Sequence, residues 1–182
     1  GHKVDRGPGL LNARCRMPAL QEHELLRTYE FFKQPIFAEI AEAYFDTSEV
    51  VTNGEIFVNR NTHTETPMNK PPFLLHFDKR EVFKFFIYLS DTSAEDGAMR
   101  VAPRTVQRNR NLRLSQMEAG VDLDAVDNVI DEDEFPAVSV DGPAGTLFVF
   151  TTDVAHGAGQ VRPGRSRSIM RGHCHSHEML RA

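Results

Sequence analysis

The stretch "HFDKREVFKFFIYLSDTSAEDGAMRVAP", from His76 to Pro103, combines a polar triplet with one of the most apolar runs of the chain. The run "VFKFFIYL" (82–89) is rich in aromatic and aliphatic residues, as buried strands are. Asp96-Gly97 is a typical turn pair and precedes a second apolar run, "AMRVA" (98–102). The stretch therefore predicts two strands joined through a turn, with a His-x-Asp triplet just ahead of the first.

The composition is that of an ordinary globular protein with one domain. The chain has 182 residues, of which 40% are hydrophobic and 26% charged, enough for one substantial core. A net charge of −5 gives no general attraction to nucleic acid or to anionic membranes. No window approaches 18 continuous apolar residues, so we expect no membrane-spanning helix. Cys15 and Cys174 form no CxxC motif, which favours a reducing, cytoplasmic setting.

The chain divides into a short N-terminal segment and one domain. We expect residues 1–17 to lie outside the fold, as a cloning remnant or an internal start, and residues 18–182 to form a single domain. The runs "PALQEHELLRTYEFF" (18–32) and "PIFAEIAEAYF" (35–45) place apolar side chains at helical spacing. The sequence therefore predicts helices before residue 50. The sequence does not indicate an oligomeric state.

Beyond Val50 the chain becomes rich in short β-like runs. The predicted strands are 55–58, 73–77, 82–89, 98–102, 137–140, 146–150 and 168–175. Helices followed by many short strands indicate an α+β, mainly β chain whose strands form a sandwich or barrel. The basic run "RTVQRNRNLR" (104–113) and the acidic run "DLDAVDNVIDEDEF" (122–135) interrupt this pattern. We interpret them as solvated parts of an insertion near residues 104–136 that partly neutralise one another.

Three residues could form a metal site. In an extended segment, His76 and Asp78 point to the same side, because residues i and i+2 of a strand share a face. A lone pair of this kind is more often a surface contact, so a third donor is needed. His156, in "GTLFVFTTDVAHGAGQ" (145–160), follows an apolar strand and precedes a glycine. Two histidines and one carboxylate leave coordination positions open and suit non-haem Fe(II) chemistry with oxygen.

Arginines follow the third metal candidate closely. Arg165, Arg167 and Arg171 lie within 15 residues of His156. Iron sites of this type often use a 2-oxo acid cosubstrate, and the planar fork of arginine matches the distal carboxylate of such a dicarboxylate. Any one of these arginines could instead face solvent.

The segments "HFD" (76–78), "YLSDTSAEDGAMRVAPRT" (88–105) and "GTLFVFTTDVAHGAGQVRPGRSR" (145–167) together resemble the phytanoyl-CoA dioxygenase family of Fe(II)/2-oxoglutarate oxygenases. The likeness covers roughly residues 50–175. It implies a double-stranded β-helix, a cupin-like jelly roll with the N-terminal helices packed on the outside. It also implies an enzyme that uses Fe(II), 2-oxoglutarate and O2 to hydroxylate or otherwise oxidise a small-molecule substrate, releasing succinate and CO2.

The resemblance also assigns roles to residues. His76, Asp78 and His156 match the iron ligands, and Arg167 matches the arginine that binds the C5 carboxylate of 2-oxoglutarate. Arg171 is the reserve candidate for that contact. Two departures concern the substrate side of the pocket. Arg104-Thr105 stand after Pro103 where the family has Gly-Ser-His, and the region before the His-x-Asp triplet is short.

The strand after the triplet offers further contacts. Lys84, Phe86 and Tyr88 share one face, and Phe83, Phe85, Ile87 and Leu89 share the packed face between layers. Lys84 and Tyr88 are therefore candidates to line the pocket and contact the cosubstrate, although Lys84 could instead reach solvent. The carboxylate of Asp78 favours hydroxylation over halogenation, because halogenating relatives carry a small residue at that position.

Three other functions remain open. The chain could be a jelly-roll domain that binds a metal or ligand without turnover. His173, His175 and His177 could form a zinc site, although donors along one strand rarely complete a tetrahedron. Arg104, Arg108, Arg110 and Arg113 could bind nucleic acid, which the adjacent acidic run and the net charge oppose. A narrower use of Arg104 and Arg108 is to bind an anionic group of the substrate.

Overall fold

A computed structural model of the chain describes residues 2–66 and 68–176. Its strands are β1 (His2–Gly7), β2 (Leu10–Arg16), β3 (Val50–Thr62), β4 (Phe83–Tyr88), β5 (Met99–Ala102), β6 (Val138–Val140), β7 (Leu147–Thr151), β8 (Ala155–Ala158) and β9 (Ser166–Ser176). Its helices are α1 (Met17–Glu22), α2 (Leu26–Phe32), α3 (Pro35–Phe45) and α4 (Val106–Glu118), with 3₁₀ turns at Ala94–Asp96 and Leu123–Ala125.

The strands form two antiparallel sheets that face each other. The larger sheet has six strands in the order β1-β2-β3-β9-β4-β7, and the smaller has three in the order β6-β5-β8. Phe86, Tyr88 and Ile169 of the larger sheet pack against Met99 of the smaller one. This arrangement confirms the expected mainly β jelly roll, the double-stranded β-helix.

The N-terminal helices cover the outer face of the larger sheet. Phe37 of α3 packs edge-on against Phe85 of β4, with ring centroids 4.6 Å apart. The predicted faces are confirmed within β4, since Phe85 and Ile87 point to the helices while Lys84, Phe86 and Tyr88 point inward. Leu89, expected on the packed face, lies past the end of β4 and is 46% exposed.

The run 18–32 forms two helices where one was expected. The chain turns between α1 and α2, and Glu24 takes a left-handed conformation there with φ 58°. The turn allows both Leu20 and Phe32 to reach the core. Leu25 and Leu26, where α2 begins, are about half exposed as a result.

The N-terminal segment belongs to the fold, so its exclusion was wrong. β2 pairs with β3 from Leu10↔Asn61 to Arg16↔Glu55, and β1 pairs with β2. Without this hairpin, the long β3 would present an open edge of unpaired backbone groups. Its backbone hydrogen bonds explain why the segment is ordered despite its polar composition.

Two further expectations about elements were wrong. Residues 73–77 form a turn and an extended segment, and only His76 of these makes an isolated bridge to its neighbours. Pro71 and Pro72 lack the N–H donors that a strand ladder needs, which limits pairing there. The basic run 104–113 lies largely in α4, whose Asn109 and Arg113 are buried.

Candidate metal centre

His76, Asp78 and His156 converge at one end of the space between the sheets. Their ligand atoms all lie within 4.8 Å of one another, as a shared metal ion requires. Oδ1 of Asp78 is 3.7 Å from Nε2 of His76 and 3.4 Å from Nε2 of His156. The structure thus brings together the three residues that the sequence pattern singled out.

Backbone hydrogen bonds place these three side chains. The amide of His76 donates to the carbonyl of His156 at 3.0 Å, and the amide of His156 donates back at 2.7 Å. The amide of Asp78 donates to the carbonyl of Thr152 at 3.2 Å. The segment around His76 is therefore extended although it is no regular strand, which keeps His76 and Asp78 on one side.

The two imidazoles are oriented for metal binding. Nδ1 of His76 lies 2.9 Å from the carbonyl oxygen of Leu74, and Nδ1 of His156 lies 2.8 Å from that of Val154. A carbonyl can only accept, so each Nδ1 carries the proton and donates it. Each Nε2 is then directed at Asp78, and in the neutral ring Nε2 carries the lone pair that can bind a metal, which is the usual arrangement of metal-binding histidines.

The protonation states also suit a cation. Burial, with a smaller contribution from His156, lowers the pKa of His76 to about 4, so its ring is neutral at pH 7. Burial raises the pKa of Asp78, but the Lys84 ammonium and His156 outweigh it and hold that pKa well below its usual value. Two of the three donors are thus already deprotonated, as ligands must be.

Lys84 is placed to orient the carboxylate of Asp78. Its Nζ lies 2.6 Å from Oδ2, which leaves Oδ1 directed at the two histidines. The lysine side chain is only 8% exposed, and burial lowers its pKa. Lys84 also lines the cavity beside the triad, so its ion pair with Asp78 is an addition to the predicted cosubstrate role.

A cavity of about 190 Å³ between the sheets adjoins the triad. Arg167 reaches it from β9 and is only 3% exposed. Its Nη1 donates to the carbonyl of Gly97 at 2.6 Å, while its Nε has no hydrogen-bond partner within residues 2–66 and 68–176. Burial lowers the pKa of Arg167 to about 10, so the guanidinium stays charged at neutral pH. These features fit an anion that reaches from the triad to Arg167.

Of the other two residues predicted to contact the cosubstrate, one lines the cavity and the other does not. Arg171 lines the same cavity. Tyr88 is fully buried, and its hydroxyl donates to the carbonyl of Val140 and accepts from the amide of Met99. Because that hydroxyl already donates one hydrogen bond and accepts another, Tyr88 is not part of the proposed cosubstrate site.

The two arginines proposed for the substrate are exposed and do not line this cavity among the described residues. Arg108 lies over the ring of Phe135, 4.8 Å from its centroid. Arg104 has φ 67° at the position where the family pattern has glycine. The buried Thr105 hydroxyl donates to the carbonyl of Ala102 and accepts from the amide of Ala155. The altered motif therefore supports the strand that carries His156.

The basic run contributes ion pairs that sequence reasoning missed. Arg113 pairs with the fully buried Asp153, and Arg110 contacts both Asp153 at 3.1 Å and Glu81 at 2.6 Å. These arginines are therefore engaged within the fold, and the acidic run 122–135 does not supply their partners. The sequence signal that could have revealed these ion pairs is Asp153, which follows an apolar strand and stands three residues before His156.

The alternative zinc site gains no support within the described residues. His173 and His175 lie on β9, but neither belongs to a group of donors close enough to share a metal. The ring of His173 stacks on Phe57 with centroids 4.9 Å apart. His177 lies outside the described residues.

Solved structures share this fold at low sequence identity. The α-ketoglutarate-dependent carbocyclase SnoK from nogalamycin biosynthesis is 21% identical with a TM-score of 0.63, over 96% of this chain and 68% of SnoK. The epimerase SnoN, in complex with Fe3+, α-ketoglutarate and nogalamycin RO, is 15% identical with a TM-score of 0.60 and the same coverage. EvdMO1 is 19% identical with a TM-score of 0.54, over 82% of this chain.

The chain spans only 32% of the length of EvdMO1, so it corresponds to part of that protein. No curated protein matches the sequence. Among the described residues, no helix has the length and apolar character that crossing a membrane would require.

The sequence matches the phytanoyl-CoA dioxygenase (PhyH) family model over residues 16–169. That span contains the metal triad and Arg167, and its metal donors meet as the resemblance implied. A His-Asp-His set of this geometry fits an iron centre. The chain belongs to the phytanoyl-CoA dioxygenase family.

Proposed function

We propose that the protein is a dioxygenase that requires Fe(II) and 2-oxoglutarate and oxidises a small-molecule substrate with O2, releasing succinate and CO2. The observation that carries this proposal is the position of the triad. His76 and His156, whose Nε2 atoms meet Oδ1 of Asp78, line a cavity that also contains the buried guanidinium of Arg167. A dicarboxylate that binds a metal at one end and an arginine at the other suits that arrangement.

Each residue of the site has a distinct part in this proposal. His76, Asp78 and His156 would hold Fe(II), which supplies the oxidative chemistry together with O2 and the cosubstrate. Arg167 would bind the C5 carboxylate of 2-oxoglutarate through its fork. Lys84 keeps one oxygen of Asp78 occupied so that the other faces the metal. The apolar walls, which include Phe86 and Ile169, would exclude water from the reacting groups.

Hydroxylation is the proposed outcome because Asp78 supplies a carboxylate ligand. The carboxylate of Asp78 would occupy the coordination position that a halide takes in halogenating enzymes. Reactions run in the presence of chloride should yield products that gain oxygen or lose hydrogen. Mass spectra dominated by chlorinated products would contradict this part of the proposal.

The experiment that tests the function is an anaerobic titration with Fe(II) and 2-oxoglutarate, followed by a succinate assay against a panel of metabolites. The variants His76→Ala and His156→Ala should abolish 2-oxoglutarate turnover while the protein remains folded. His63→Ala is the matched control, because His63 is an exposed histidine outside the site. Undiminished turnover by folded His156→Ala protein would refute the triad. Cosubstrate binding without any succinate would favour a non-catalytic ligand-binding domain.

A further inference from the structure

The cavity beside the triad contains more positive charge than the proposed cosubstrate requires. Its described lining includes Lys84, Arg167 and Arg171 but no aspartate or glutamate. Lys84 is neutralised by Asp78, which lies next to the cavity. Arg167 is assigned to the cosubstrate. Arg171 is the cation left over.

Arg171 is held in place by aromatic rings instead of by an acid. Its guanidinium carbon lies 4.5 Å from the centroid of Phe57 and 5.7 Å from that of Phe86. Its Nε is shielded from solvent and has no hydrogen-bond partner among the described residues. The two rings fix the plane of the guanidinium without satisfying its N–H donors.

An unpaired, shielded charge destabilises a protein unless something compensates for it. Burial lowers the pKa of Arg171 to about 10, and the negative charge of Asp78 only partly opposes this effect. Arg171 is therefore still a cation at neutral pH. A ligand that supplies an anionic oxygen would satisfy its free N–H groups.

The position of Arg171 separates it from the proposed cosubstrate contact. Arg167 and Arg171 lie four residues apart on β9, about 13 Å along the strand at 3.3 Å per residue. In the pairing of β9 with β4, Arg171 stands opposite Phe86, two residues from Lys84 and its ion pair with Asp78. Burial, with a smaller contribution from the charge of Arg171, lowers the pKa of Arg167. Arg171 thus lies toward the metal end of the cavity. The family match ends at residue 169, before Arg171.

We propose that Arg171 forms a subsite for an anionic oxygen group of the substrate, most simply a carboxylate, beside the metal centre. This inference rests on the proposed function and defines its substrate class as small anionic molecules. The cavity volume of about 190 Å³ lies below the roughly 300–1,000 Å³ of usual small-molecule pockets, which limits the buried part of the substrate to a small group.

The first test compares charged probes with neutral ones of the same shape. Protein loaded with Fe(II) and saturating 2-oxoglutarate, without oxygen, is titrated calorimetrically with propionate and propionamide, then with benzoate and benzamide. At least one carboxylate should bind about tenfold more tightly than its amide, a difference of one charge-assisted contact. Arg171→Met should abolish this preference while it changes the 2-oxoglutarate dissociation constant less than about threefold, well below the tenfold of one such contact.

Two matched variants accompany this test. Arg167→Met should lose 2-oxoglutarate binding, and Arg165→Met, which alters a half-exposed arginine paired with Asp96, should leave both properties unchanged. If Arg171→Met weakens 2-oxoglutarate as much as Arg167→Met does, Arg171 belongs to the cosubstrate site and the proposal is wrong. A carboxylate preference that persists in Arg171→Met, or that the parent lacks with every probe, would also overturn it.

A second measurement does not depend on metal or cosubstrate. Methionine can fill the space between Phe57 and Phe86 without a charge, so Arg171→Met should raise the melting temperature of the unloaded protein. Propionate or benzoate should stabilise the unloaded parent but not this variant. A lower melting temperature would mean that Arg171 is only a structural residue. If the parent does not bind 2-oxoglutarate at all, the proposed function is wrong. The melting temperatures of the unloaded protein with propionate or benzoate still test the Arg171 subsite in that case.

Discussion

Arg167 combines a structural contact with free hydrogen-bonding capacity. One of its nitrogens donates to the carbonyl of Gly97, which sits in a turn with φ 78° between β4 and β5. In the part of the chain that the structure describes, its Nε has no hydrogen-bond partner. The turn therefore fixes the direction of the side chain, and the remaining donors are available to a ligand.

We expect Arg167→Ala to weaken 2-oxoglutarate binding strongly. Removing one partner of a buried charged contact costs roughly 2–5 kcal/mol, which corresponds to about 30-fold or more in the dissociation constant. Arg167→Lys should recover only part of the loss, because an ammonium cannot form the fork. The measurement is 2-oxoglutarate affinity with Fe(II) and no oxygen, with Arg165→Ala as the control. Normal binding by Arg167→Ala but not by Arg171→Ala would place the cosubstrate four residues further along β9.

His76 should make the unloaded protein sensitive to mild acid. Its pKa is about 4 in the folded protein, against an ordinary value of 6.5, so between these pH values only the unfolded chain takes up the proton. Stability must therefore fall as the pH drops from about 6.5 to about 4, by at most about 1.4 kcal/mol per pH unit for this group. His76→Gln should flatten that slope in urea unfolding, while His63→Gln should not. An unchanged slope in His76→Gln would contradict the assignment.

At the level of elements, a buried ion-pair cluster fastens α4 to the strand that carries His156. Asp153 and Arg113 are almost completely buried, and Glu81 adds a second contact to Arg113 at 3.5 Å. Asn109 of α4 also donates to the backbone carbonyl of Asp153 at 2.8 Å. The helix thus holds the turn between β7 and β8 in position.

Breaking this cluster should cost far more than breaking a surface pair. Asp153→Ala leaves Arg113 buried with one partner, and such losses are typically about 3–5 kcal/mol, with the lower end expected here because Glu81 remains. Asp5→Ala, which removes an exposed pair with Lys3, should cost at most about 1 kcal/mol. Urea unfolding of both variants measures the difference. Equal effects would mean that the cluster does not anchor the helix.

The sequence pattern predicted some elements well because their burial follows a simple period. β4 alternates between the helix layer and the cavity, and its faces were assigned correctly. Phe73, Leu75 and Phe77 alternate in the same way and are all buried, but the pairing there is limited to isolated bridges at His76, so no regular strand forms. α4 buries Asn109 and Arg113 instead of an apolar stripe, so hydrophobic spacing could not identify how it packs.

The candidate site, too, was predictable from the sequence only in part. The spacing of His76 and Asp78, together with a histidine after an apolar strand, was enough to propose the donors. The backbone hydrogen bonds that bring those donors together join distant segments, such as the reciprocal pair between His76 and His156 and the bond from the amide of Asp78 to the carbonyl of Thr152. Local pattern carries no information about which distant groups meet, so these contacts required the structure.

At the scale of the whole molecule, the N-terminal hairpin extends the larger sheet beyond β3 and forms part of one wall of the cavity. Leu10 and Asn12 of β2 line that cavity together with Asn59 and Asn61 of β3. Asn59 donates to Asn12 at 2.8 Å, while the buried Oδ1 of Asn61 accepts no hydrogen bond from any described residue. The hairpin therefore contributes to the proposed cosubstrate site as well as to the fold.

Stepwise truncation should separate these two contributions. Removing residues 1–7 deletes β1 but leaves β2 on the edge of β3, so 2-oxoglutarate affinity should be nearly unchanged. Removing residues 1–16 opens the edge of β3 and the cavity wall, so both the melting temperature and 2-oxoglutarate affinity should fall. Thermal unfolding and cosubstrate titration of the two shortened proteins check this. Full cosubstrate affinity after removal of β2 would show that the hairpin serves stability alone.

The reciprocal backbone bridge between His76 and His156 makes these two amides natural reporters of metal loading. Each amide is hydrogen-bonded to the other residue's carbonyl, outside any long ladder, so a small local opening would expose both to deuterium exchange. That opening also pulls the two metal donors apart, so an ion held by both must leave first. At a free metal concentration 100 times its dissociation constant, exchange at both amides should slow by about 100-fold. Deuterium uptake at two positions would thus measure metal affinity in the native protein without any substrate.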